Sequence, residues 1–446
     1  MAGIAGIARP GRRGHVERML EVLRHRGPAG TAVLELDSAT LGVAYTKLQA
    51  ESAAQPQGLV RDHAGPGHLA QAEVAEGRVV LTRDPIGVAP VYYGRTEDGA
   101  LAFASEVKAL LKVSRDTHVL PPGHRYDGAR TEPLFRLEPQ PPLEAPPDEI
   151  AAELRRRLEA AVTARLAGEV AGSWLSGGLD SSAMAALARP HVRTLHTFAA
   201  GLPGAPDLEH AREAAHFIGS EHHEVVATFP DVLRALPKVI YHLESFDALL
   251  VRSSILNYLV AEAASQHVPT AFSGEGGDEL FAGYDYLKSL APEALADELI
   301  DITGRLHNTA LQRVDRCAAA HALVPHVCFL DPNVVDYALR IPVELKLRDG
   351  VEKWILRQAM DGALPDRVLN RPKAKFWQGA GLGELLARHA DEAVSDPDFR
   401  RERTLPNGWS LNSKEELLYY RVFREHFGEL AQLDWMGRTK GVGRTS

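Results

Sequence analysis

Cysteine is scarce in this sequence, and no apolar run is long enough to span a bilayer. The two cysteines, Cys317 and Cys328, are too few for a disulfide framework and suit a reducing compartment. The opening residues MAGIAGIARPGRRG lack the apolar core of a secretory signal. We therefore expect a cytoplasmic protein that has no membrane partner.

An excess of positive charge is also missing. The formal net charge is −9, which gives no sign of a surface that binds nucleic acid. Hydrophobic residues make up 45% of the chain and charged residues 24%, an ordinary globular composition. Because 446 residues exceed what one hydrophobic core usually serves, two domains are expected.

The first part of the chain, residues 1–137, is rich in β-type runs separated by turn signals. These runs are AVLEL from Ala32, VVLTR from Val79, PVYYG from Pro90 and LAFAS from Leu101. Residues 138–147 then read EPQPPLEAPP, a proline density that neither a helix nor an interior strand tolerates. This segment is predicted to be a linker between two domains.

The second predicted domain covers residues 148–435 and begins with an amphipathic helix, for which Asp148 is the expected N-cap. Its apolar positions recur every four residues: Ile150, Leu154, Leu158, Val162 and Leu166. From Gly172 onward short apolar runs alternate with helical patterns, which predicts a parallel, doubly wound sheet. Helical patterns dominate after Tyr284, and residues 436–446 are expected to be a flexible tail.

A loop rich in small residues joins an expected strand to an expected helix. It reads Ser176-Gly177-Gly178-Leu179-Asp180-Ser181-Ser182. Such a turn directs backbone N–H groups and serine hydroxyls at an anion, and the string is specific in this context. Asp180 would repel phosphate unless a cation lay between them, so it is a candidate Mg²⁺ ligand. No lysine accompanies the loop, which favours cleavage of a nucleotide at its α-phosphate with release of pyrophosphate.

A second motif runs from Ser273 to Tyr284 as SGEGGDELFAGY. With these two motifs the chain resembles the family of asparagine synthetases and β-lactam synthetases. The likeness continues through HTFAAGLPGAPDLEHAREAA from His196, FLD from Phe329 and VEKWILRQAMDGALPDRVLNRPKAKF from Val351. It also covers GIAGI, LRHRGP, RDPIGVAPVYYG and FASEVKALL in the first half.

The resemblance implies an α+β fold for the first half, a shortened β-sandwich of the N-terminal-nucleophile-hydrolase type. An α/β domain with a parallel doubly wound sheet and additional helices would follow. Its cofactors would be ATP and Mg²⁺, with the metal held by Asp180 and Asp278. The residues that match the ATP site are Leu175, Ser176, Gly177, Gly178, Asp180, Ser181, Ser182, Ala200, Ser273 and Gly274.

By the same matching, Arg252, Lys353 and Lys373 would face pyrophosphate. Lys373 would also be catalytic, since a cation near the acyl centre stabilises the oxyanion. Glu275 matches a glutamate of the asparagine synthetases where the β-lactam synthetases carry tyrosine, and a carboxylate there can accept a proton from an attacking amine. Glu275 therefore favours an intermolecular amide over ring closure.

The first half departs from the relatives that hydrolyse glutamine, which use an amino-terminal cysteine as nucleophile. Position 2 is Ala2, neither cysteine lies in this half, and the NGEIYN-type segment that binds glutamine is absent. We expect a degenerate glutaminase-like domain that packs on the synthetase half.

The acceptor region departs as well. Leu249 and Leu250 stand where asparagine synthetases carry two threonines, and Val324 and His326 stand where they carry glutamate and arginine. Each exchange removes a hydrogen-bonding group or a charge from the expected substrate pocket, so free aspartate is a doubtful substrate. The adjacent His222 and His223 are interpreted as structural, because neighbouring histidines are poor tetrahedral partners.

The leading hypothesis is a Mg-ATP-dependent amide ligase that adenylates a small-molecule carboxylic acid and transfers the acyl group to ammonia or an amine, without hydrolysing glutamine. The alternatives are an ammonia-dependent asparagine synthetase, an intramolecular cyclase like the β-lactam synthetases, and a non-catalytic nucleotide-binding subunit. The identities of the acid and of the amine stay open, and a homodimer is an assembly that the sequence leaves open.

Overall fold

In a computed structural model of the chain, residues 1–52, 54–55, 57–371 and 382–439 are described. The described part of the first half is built from short strands, two α-helices, α1 (Arg13–Val22) and α2 (Val107–Leu110), and one 3₁₀ helix, Lys47–Gln49. Its strands are β1 (Gly3–Ile7), β2 (Gly30–Glu35), β3 (Thr40–Tyr45), β4 (Ala54–Gln55), β5 (Leu59–His63), β6 (Leu69–Ala75), β7 (Arg78–Arg83), β8 (Tyr92–Arg95), β9 (Leu101–Ala104), β10 (His118–Val119), β11 (His124–Tyr126) and β12 (Thr131–Pro133).

These strands form two antiparallel sheets that share one apolar core. Over the described residues the orders are β10-β8-β9-β1-β3-β2 and β12-β11-β7-β6-β5-β4. Ile4, Val43 and Phe103 from the first sheet pack with Val60 and Leu81 from the second, and all five are buried. Alternate residues of a strand point to opposite faces, which is how each sheet can direct one apolar row inward. The β-type runs predicted from Ala32, Val79, Pro90 and Leu101 are confirmed as strands.

The second half alternates strands with helices. Its strands are β13 (Val170–Trp174), β14 (Thr194–Gly201), β15 (Glu221–Val226), β16 (Thr270–Phe272), β17 (Val324–His326), β18 (Leu347–Arg348) and β19 (Val351–Glu352). Its helices are α3 (Pro147–Thr163), α4 (Leu179–Ala188), α5 (Pro206–Ile218), α6 (Phe229–Leu243), α7 (Ala248–Ser265), α8 (Gly277–Leu280), α9 (Pro292–Gly304), α10 (Ala310–Ala319), α11 (Pro332–Arg340), α12 (Val343–Lys346), α13 (Trp354–Ala359), α14 (Asp366–Leu369), α15 (Gly383–Ala393), α16 (Asp396–Glu402) and α17 (Lys414–Phe427).

The central sheet of this half is parallel, with the order β15-β14-β13-β16-β17. From β13 the chain adds β14 and then β15 on one side of that strand. It then returns and adds β16 and β17 on the other side of β13. In sheets of this kind a crevice opens beyond the carboxyl ends of the two strands at the reversal, here β13 and β16. The parallel sheet predicted from the sequence is confirmed, and the loop that follows β13 lies at that crevice.

The linker forms neither helix nor strand between Pro133 and Pro147, and Leu143 N–H donates to the Arg340 carbonyl at 2.8 Å. The predicted N-cap was wrong: Pro146 caps α3 and Asp148 lies inside its first turn. Proline is favoured at the first helical position because its fixed φ is already helical and its missing N–H is not needed there. We propose to retain residues 138–147 as the boundary between two domains.

Two further predictions need correction. The segment from Val351 lies where helical patterns were expected to dominate, but Val351 and Glu352 pair with Leu347 and Arg348 as a strand, and the helix begins only at Trp354. The predicted start of the flexible tail, residue 436, is also too early. Met436 is 4% exposed, Arg438 pairs with Glu416, and the Thr439 hydroxyl donates to Asp247 at 2.8 Å. Residues 436–439 are therefore packed on the second half.

Among the described residues, no helix is both long enough and apolar enough to cross a membrane.

A buried cluster of charged residues joins the two halves. Arg26, which is 0% exposed, donates to Asp315 of α10 at 2.8 and 3.0 Å, to Glu106 at 2.8 Å and to Asp62 at 2.9 Å. Burial on its own would raise the pKa of Glu106, but nearby cations, including Lys108, hold that pKa well below its usual range. Asp62 and Glu106 lie in the first half and Asp315 in the second, so one guanidinium connects both.

Replacement of Arg26 by methionine should destabilise the protein by about 3–5 kcal/mol, because it leaves three buried carboxylates without their shared cation. Chemical denaturation followed by tryptophan fluorescence measures this loss. The matched control is Arg13→Met, since Arg13 pairs with Glu17 on the surface, where its side chain is 49% exposed. Equal denaturation midpoints for the two variants would contradict the role given to Arg26.

Candidate active site

The glycine-serine loop has an internal hydrogen-bond frame. Ser176 N–H donates to Ser181 Oγ at 3.1 Å, and the two serine Oγ atoms are 3.0 Å apart. Gly177 has a φ of +69°, and a β-carbon there would collide with the backbone of His210. Only glycine fits both requirements. Gly178 begins α4 as its N-cap, so the first turn of that helix directs its N–H groups toward the crevice.

The second motif packs directly on this loop. It follows β16, and its glycines lie against the loop's own backbone and carboxylate. A β-carbon on Gly274 would come within 2.8 Å of Ser181 N, and one on Gly277 within 2.6 Å of the Asp180 carboxyl carbon. The glycines therefore permit a contact between the two motifs that any larger residue would prevent.

Lys353 connects the two motifs electrostatically. Its Nζ lies 2.5 Å from Asp180 Oδ2 and 2.5 Å from Asp278 Oδ1. The lysine side chain is 3% exposed and the two aspartates are 12% and 14% exposed. Lys353 has a left-handed backbone with a φ of 56°, and its N–H donates to the Phe281 carbonyl at 3.1 Å. The two predicted metal ligands thus converge on one cation, which is supplied by a residue predicted to face pyrophosphate.

The donor set of this site fits Mg²⁺. Magnesium prefers hard oxygen ligands and is commonly bound through one or two carboxylates together with substrate phosphates. Asp180 Oδ2 and Asp278 Oδ1 both contact Lys353 Nζ, so the two carboxylates lie close together next to a loop whose N–H groups suit phosphate. Asp180 and Asp278 would hold the ion, and its charge would offset that of a triphosphate.

A neighbouring carboxyl group has an unusual proton affinity. Burial, together with the charge of Asp278, raises the pKa of Glu279 to about 7. The Tyr284 hydroxyl donates to Glu279, and burial raises the pKa of this tyrosine well above its usual value. Near neutral pH Glu279 is therefore partly protonated, which limits the negative charge beside Asp278.

Glu275, the predicted base, forms an ion pair that the sequence did not indicate. Arg313 Nη2 lies 2.6 Å from Glu275 Oε1, with side chains 18% and 24% exposed. Burial alone would lower the pKa of Arg313, but Glu275 raises it. Arg313 belongs to α10, the helix that also carries Asp315 of the buried cluster.

Arg371 is a second residue that the motif analysis did not single out. Its Nη1 donates to the Ser176 carbonyl at 3.3 Å, and its Nη2 lies 2.5 Å from Asp207 Oδ1. The arginine was visible in the sequence as the first residue of RPKAKF, but its contact to the loop depended on the fold. Lys373 of the same segment, predicted to be catalytic, lies outside the described residues.

The remaining predicted ATP residues lie at the carboxyl ends of the parallel strands. Leu175 N–H donates to the Phe198 carbonyl at 2.8 Å, and Ala200 continues β14 beside it. Ser273 N–H donates to the His326 carbonyl at 2.9 Å. Ser182 is fully buried in the first turn of α4, so the structure does not favour the predicted contact of its hydroxyl with nucleotide.

The predicted pyrophosphate residue Arg252 is engaged elsewhere in this structure. Its Nε donates to Glu415 Oε1 at 2.6 Å, and this hydrogen bond raises the pKa of Arg252. Leu249 and Leu250 precede it in the first turn of α7, where Leu250 is 4% exposed. Contact of Arg252 with pyrophosphate and of the leucines with substrate stays a prediction.

The two predicted pocket residues of β17 are buried near the junction of the halves. His326 Nδ1 donates to the Ala64 carbonyl of the first half at 2.9 Å, and burial lowers the pKa of this histidine to about 3. The ring is therefore neutral. Val324 is 4% exposed and pairs with Thr270. A role for Val324 and His326 in an acyl pocket also stays a prediction.

Comparison with known protein families shows which family the chain belongs to. The family model described as asparagine synthase matches residues 153–300 and 291–442, which is more than half of the sequence. The chain belongs to the asparagine synthase family. A model described as a glutamine amidotransferase domain matches residues 36–112. The resemblance inferred from the motifs is thus confirmed, and the two matches lie on either side of the linker.

Asparagine synthetases that are named as glutamine-hydrolysing are among the relatives. The protein is 35% identical over 384 residues to asparagine synthetase 2 of Lotus japonicus, which covers 80% of this chain and 65% of the relative. It is 36% identical over 390 residues to a probable asparagine synthetase of Schizosaccharomyces pombe, and this alignment covers 78% of this chain and 70% of the relative. Among solved structures, NMN synthetase from Francisella tularensis aligns with a TM-score of 0.30 at 13% identity, covering 65% of this chain and 99% of that one.

A pH dependence follows from Glu279. Because its pKa in the folded protein is about 7, against 4.5 as its ordinary value, its stabilising contribution is complete below pH 4.5 and is lost as the pH rises through 7. Glu279→Gln should remove this pH-dependent loss. Between pH 5 and pH 8 the free energy of unfolding of the variant should therefore rise by on the order of 2 kcal/mol relative to that of the wild type. Melting temperatures across this range measure the gain.

The control is Glu298→Gln, because Glu298 also accepts a tyrosine hydroxyl, that of Tyr286 at 2.7 Å, but at an exposed site. If Glu279→Gln melts in parallel with the wild type at every pH, Glu279 is ionised like an ordinary glutamate.

Proposed function

We propose that the protein is an ATP-dependent, AMP-forming carbon–nitrogen ligase that joins a small-molecule carboxylic acid to ammonia or an amine. The observation that carries this proposal is the convergence of Asp180 and Asp278 beside the Ser176–Ser181 loop. That arrangement suits a metal-bound triphosphate with its α-phosphorus at the crevice. Membership of the asparagine synthase family supports the same reaction class.

In the proposed reaction, an oxygen of the substrate carboxylate attacks the α-phosphorus of ATP, and the bond from that phosphorus to pyrophosphate breaks. The nitrogen nucleophile then attacks the acyl carbon, the bond from that carbon to AMP breaks, and the nitrogen loses a proton. Bound Mg²⁺ would supply positive charge to the phosphates. Lys353 can offset charge on the departing pyrophosphate, since its ammonium already lies between the two aspartates.

Glu275 is suited to accept the proton from nitrogen. Arg313 holds one of its carboxylate oxygens at 2.6 Å, and its side chain remains 24% exposed, so the other oxygen can face an incoming amine. An ionised carboxylate at the carboxyl edge of β16 can also attract an ammonium or an amine cation. Arg313 orients this base and would act through Glu275 only.

We further propose that nitrogen does not come from glutamine. Ala2 is fully buried, its N–H donates to Asp62 Oδ1 at 2.8 Å, and its carbonyl accepts from Arg26 Nε at 2.8 Å. The region in which the relatives place their nucleophile is thus occupied by members of the buried charged cluster. No cysteine occurs within residues 1–137.

The second candidate function is ammonia-dependent synthesis of asparagine. Glu275 favours it, because the asparagine synthetases carry a glutamate at the matching position. The apolar Leu249 and Leu250 oppose it, since a buried zwitterion that loses one hydrogen-bonding partner is disfavoured by about 1–3 kcal/mol. The choice of acid therefore separates the two candidates.

A screen of acids for ATP–pyrophosphate exchange tests adenylation without knowledge of the amine. Exchange should require a carboxylic acid, and Asp180→Asn and Asp278→Asn should each abolish it, because both remove a ligand charge from the metal position. Asp285→Asn is the matched control, since the Asp285 side chain is 93% exposed and contacts Lys288.

An acid panel that supports no exchange would contradict the proposed ligase. Exchange with aspartate above all other acids would favour the second candidate. Full exchange in Asp180→Asn or Asp278→Asn would remove that residue from the metal site.

The nitrogen source gives a separate prediction. With an accepted acid, ammonium or an amine should drive AMP formation, whereas glutamine should not. Ala2→Cys, processed so that the cysteine is the first residue, should still release no glutamate, because Asp62 and Arg26 hold the backbone of residue 2 in a buried position. An enzymatic glutamate assay measures the release. Glutamate formation by this variant would show that a working glutamine pocket remains.

A further inference from the structure

Three histidines converge at the amino-terminal edge of the parallel sheet. His196 is near the start of β14, His223 is near the start of β15, and His267 lies between α7 and β16. One ring nitrogen from each lies within 4.8 Å of the other two. Since the glycine-serine loop follows the carboxyl end of β13, this cluster is on the opposite edge of the sheet from the candidate active site.

The strand register explains why these rings meet. His196 pairs with Glu221 in the parallel ladder, and His223 lies two residues further along β15. Side chains two residues apart point to the same face of a strand, so Glu221 and His223 share the face of His196 while His222 points away. His222 Nδ1 instead contacts Thr197 Oγ1 at 3.0 Å. The adjacent pair was interpreted as structural, but the fold directs one member toward two distant histidines.

The distances suit a transition metal. His196 Nδ1 and His223 Nε2 are 3.1 Å apart, close to the separation of about 3.3 Å that two nitrogens have on one tetrahedral Zn²⁺. Glu221 Oε2 lies 3.5 Å from His196 Nδ1, and because its side chain is 64% exposed it can turn toward the other two rings and supply a fourth ligand. Burial and the neighbouring histidines lower the pKa of His223, which favours the neutral imidazole that metals require.

The surroundings provide a rigid base and an open entrance. The Phe198 ring is 1% exposed and stacks on His223 with centroids 4.9 Å apart. His196 and His223 are partly buried, whereas His267 is exposed. An ion could therefore enter from the side of His267 and meet two side chains already held by the sheet.

We propose that His196, His223 and His267, with Glu221 as the fourth ligand, form a binding site for Zn²⁺. The site would be structural, because it ties β14, β15 and the connection after α7 together and contacts none of the proposed reacting groups. It does not depend on the proposed ligase activity.

The test uses full-length protein without a histidine tag, stripped of metal and kept in excess Mg²⁺ so that Asp180 and Asp278 do not compete for zinc. Competition with a chromophoric chelator should show one equivalent of Zn²⁺ bound with a micromolar or lower Kd. Saturating Zn²⁺ should raise the melting temperature by several degrees, because the ion binds the folded state only. His196→Ala and His223→Ala should each weaken binding at least tenfold.

His267→Asn is the variant that separates loss of a ligand from loss of the fold, because His267 is exposed. It should weaken zinc binding at least tenfold while the melting temperature without metal stays that of the wild type. His222→Ala, the neighbour that points away, should bind zinc like the wild type. Absence of micromolar binding to the wild type, or equal binding by wild type and His267→Asn, would overturn the site.

Discussion

The buried guanidinium of Arg26 constrains how the two halves of the protein fit together. Moving an ion out of water costs several kcal/mol, and only well-placed opposite charges offset that cost. Arg26 meets this condition only when Asp62, Glu106 and Asp315 all reach it, which requires both halves to be folded and docked. Apolar contacts alone tolerate small shifts between surfaces, whereas this set of hydrogen bonds does not.

The same constraint extends toward the chemistry through α10. Asp315 accepts hydrogen bonds from Arg26 of the first half. Arg313, two residues earlier in the same helix, contacts Glu275 in the motif that follows β16. A helix transmits position well because its backbone hydrogen bonds leave little freedom between neighbouring turns. The first half can therefore serve the proposed reaction by positioning Arg313, which gives it a physical role that does not need glutamine hydrolysis.

Features of the fold that depend on local sequence could be predicted, and features that depend on distant contacts could not. The strands and the loop from Ser176 follow from apolar patterns and small residues within a few positions. Arg313 and Arg371 were missed because their partners lie 38 and 195 residues away. The helix boundary at Pro147 was missed because a proline-rich linker and a proline at the first helical position look alike in sequence. Membership of the family supplied Asp278 and Lys353, which periodicity alone would not identify.

Lys353 gives the crevice a counter-ion that belongs to the chain itself. Two carboxylates in a poorly hydrated crevice repel each other, and without compensation the loops that carry them would separate. The ammonium between Asp180 and Asp278 offsets this repulsion, so the chain itself supplies the charge that keeps the two motifs in contact. Assembly of the crevice is thereby part of folding, and substrate binding energy is not spent on bringing its walls together.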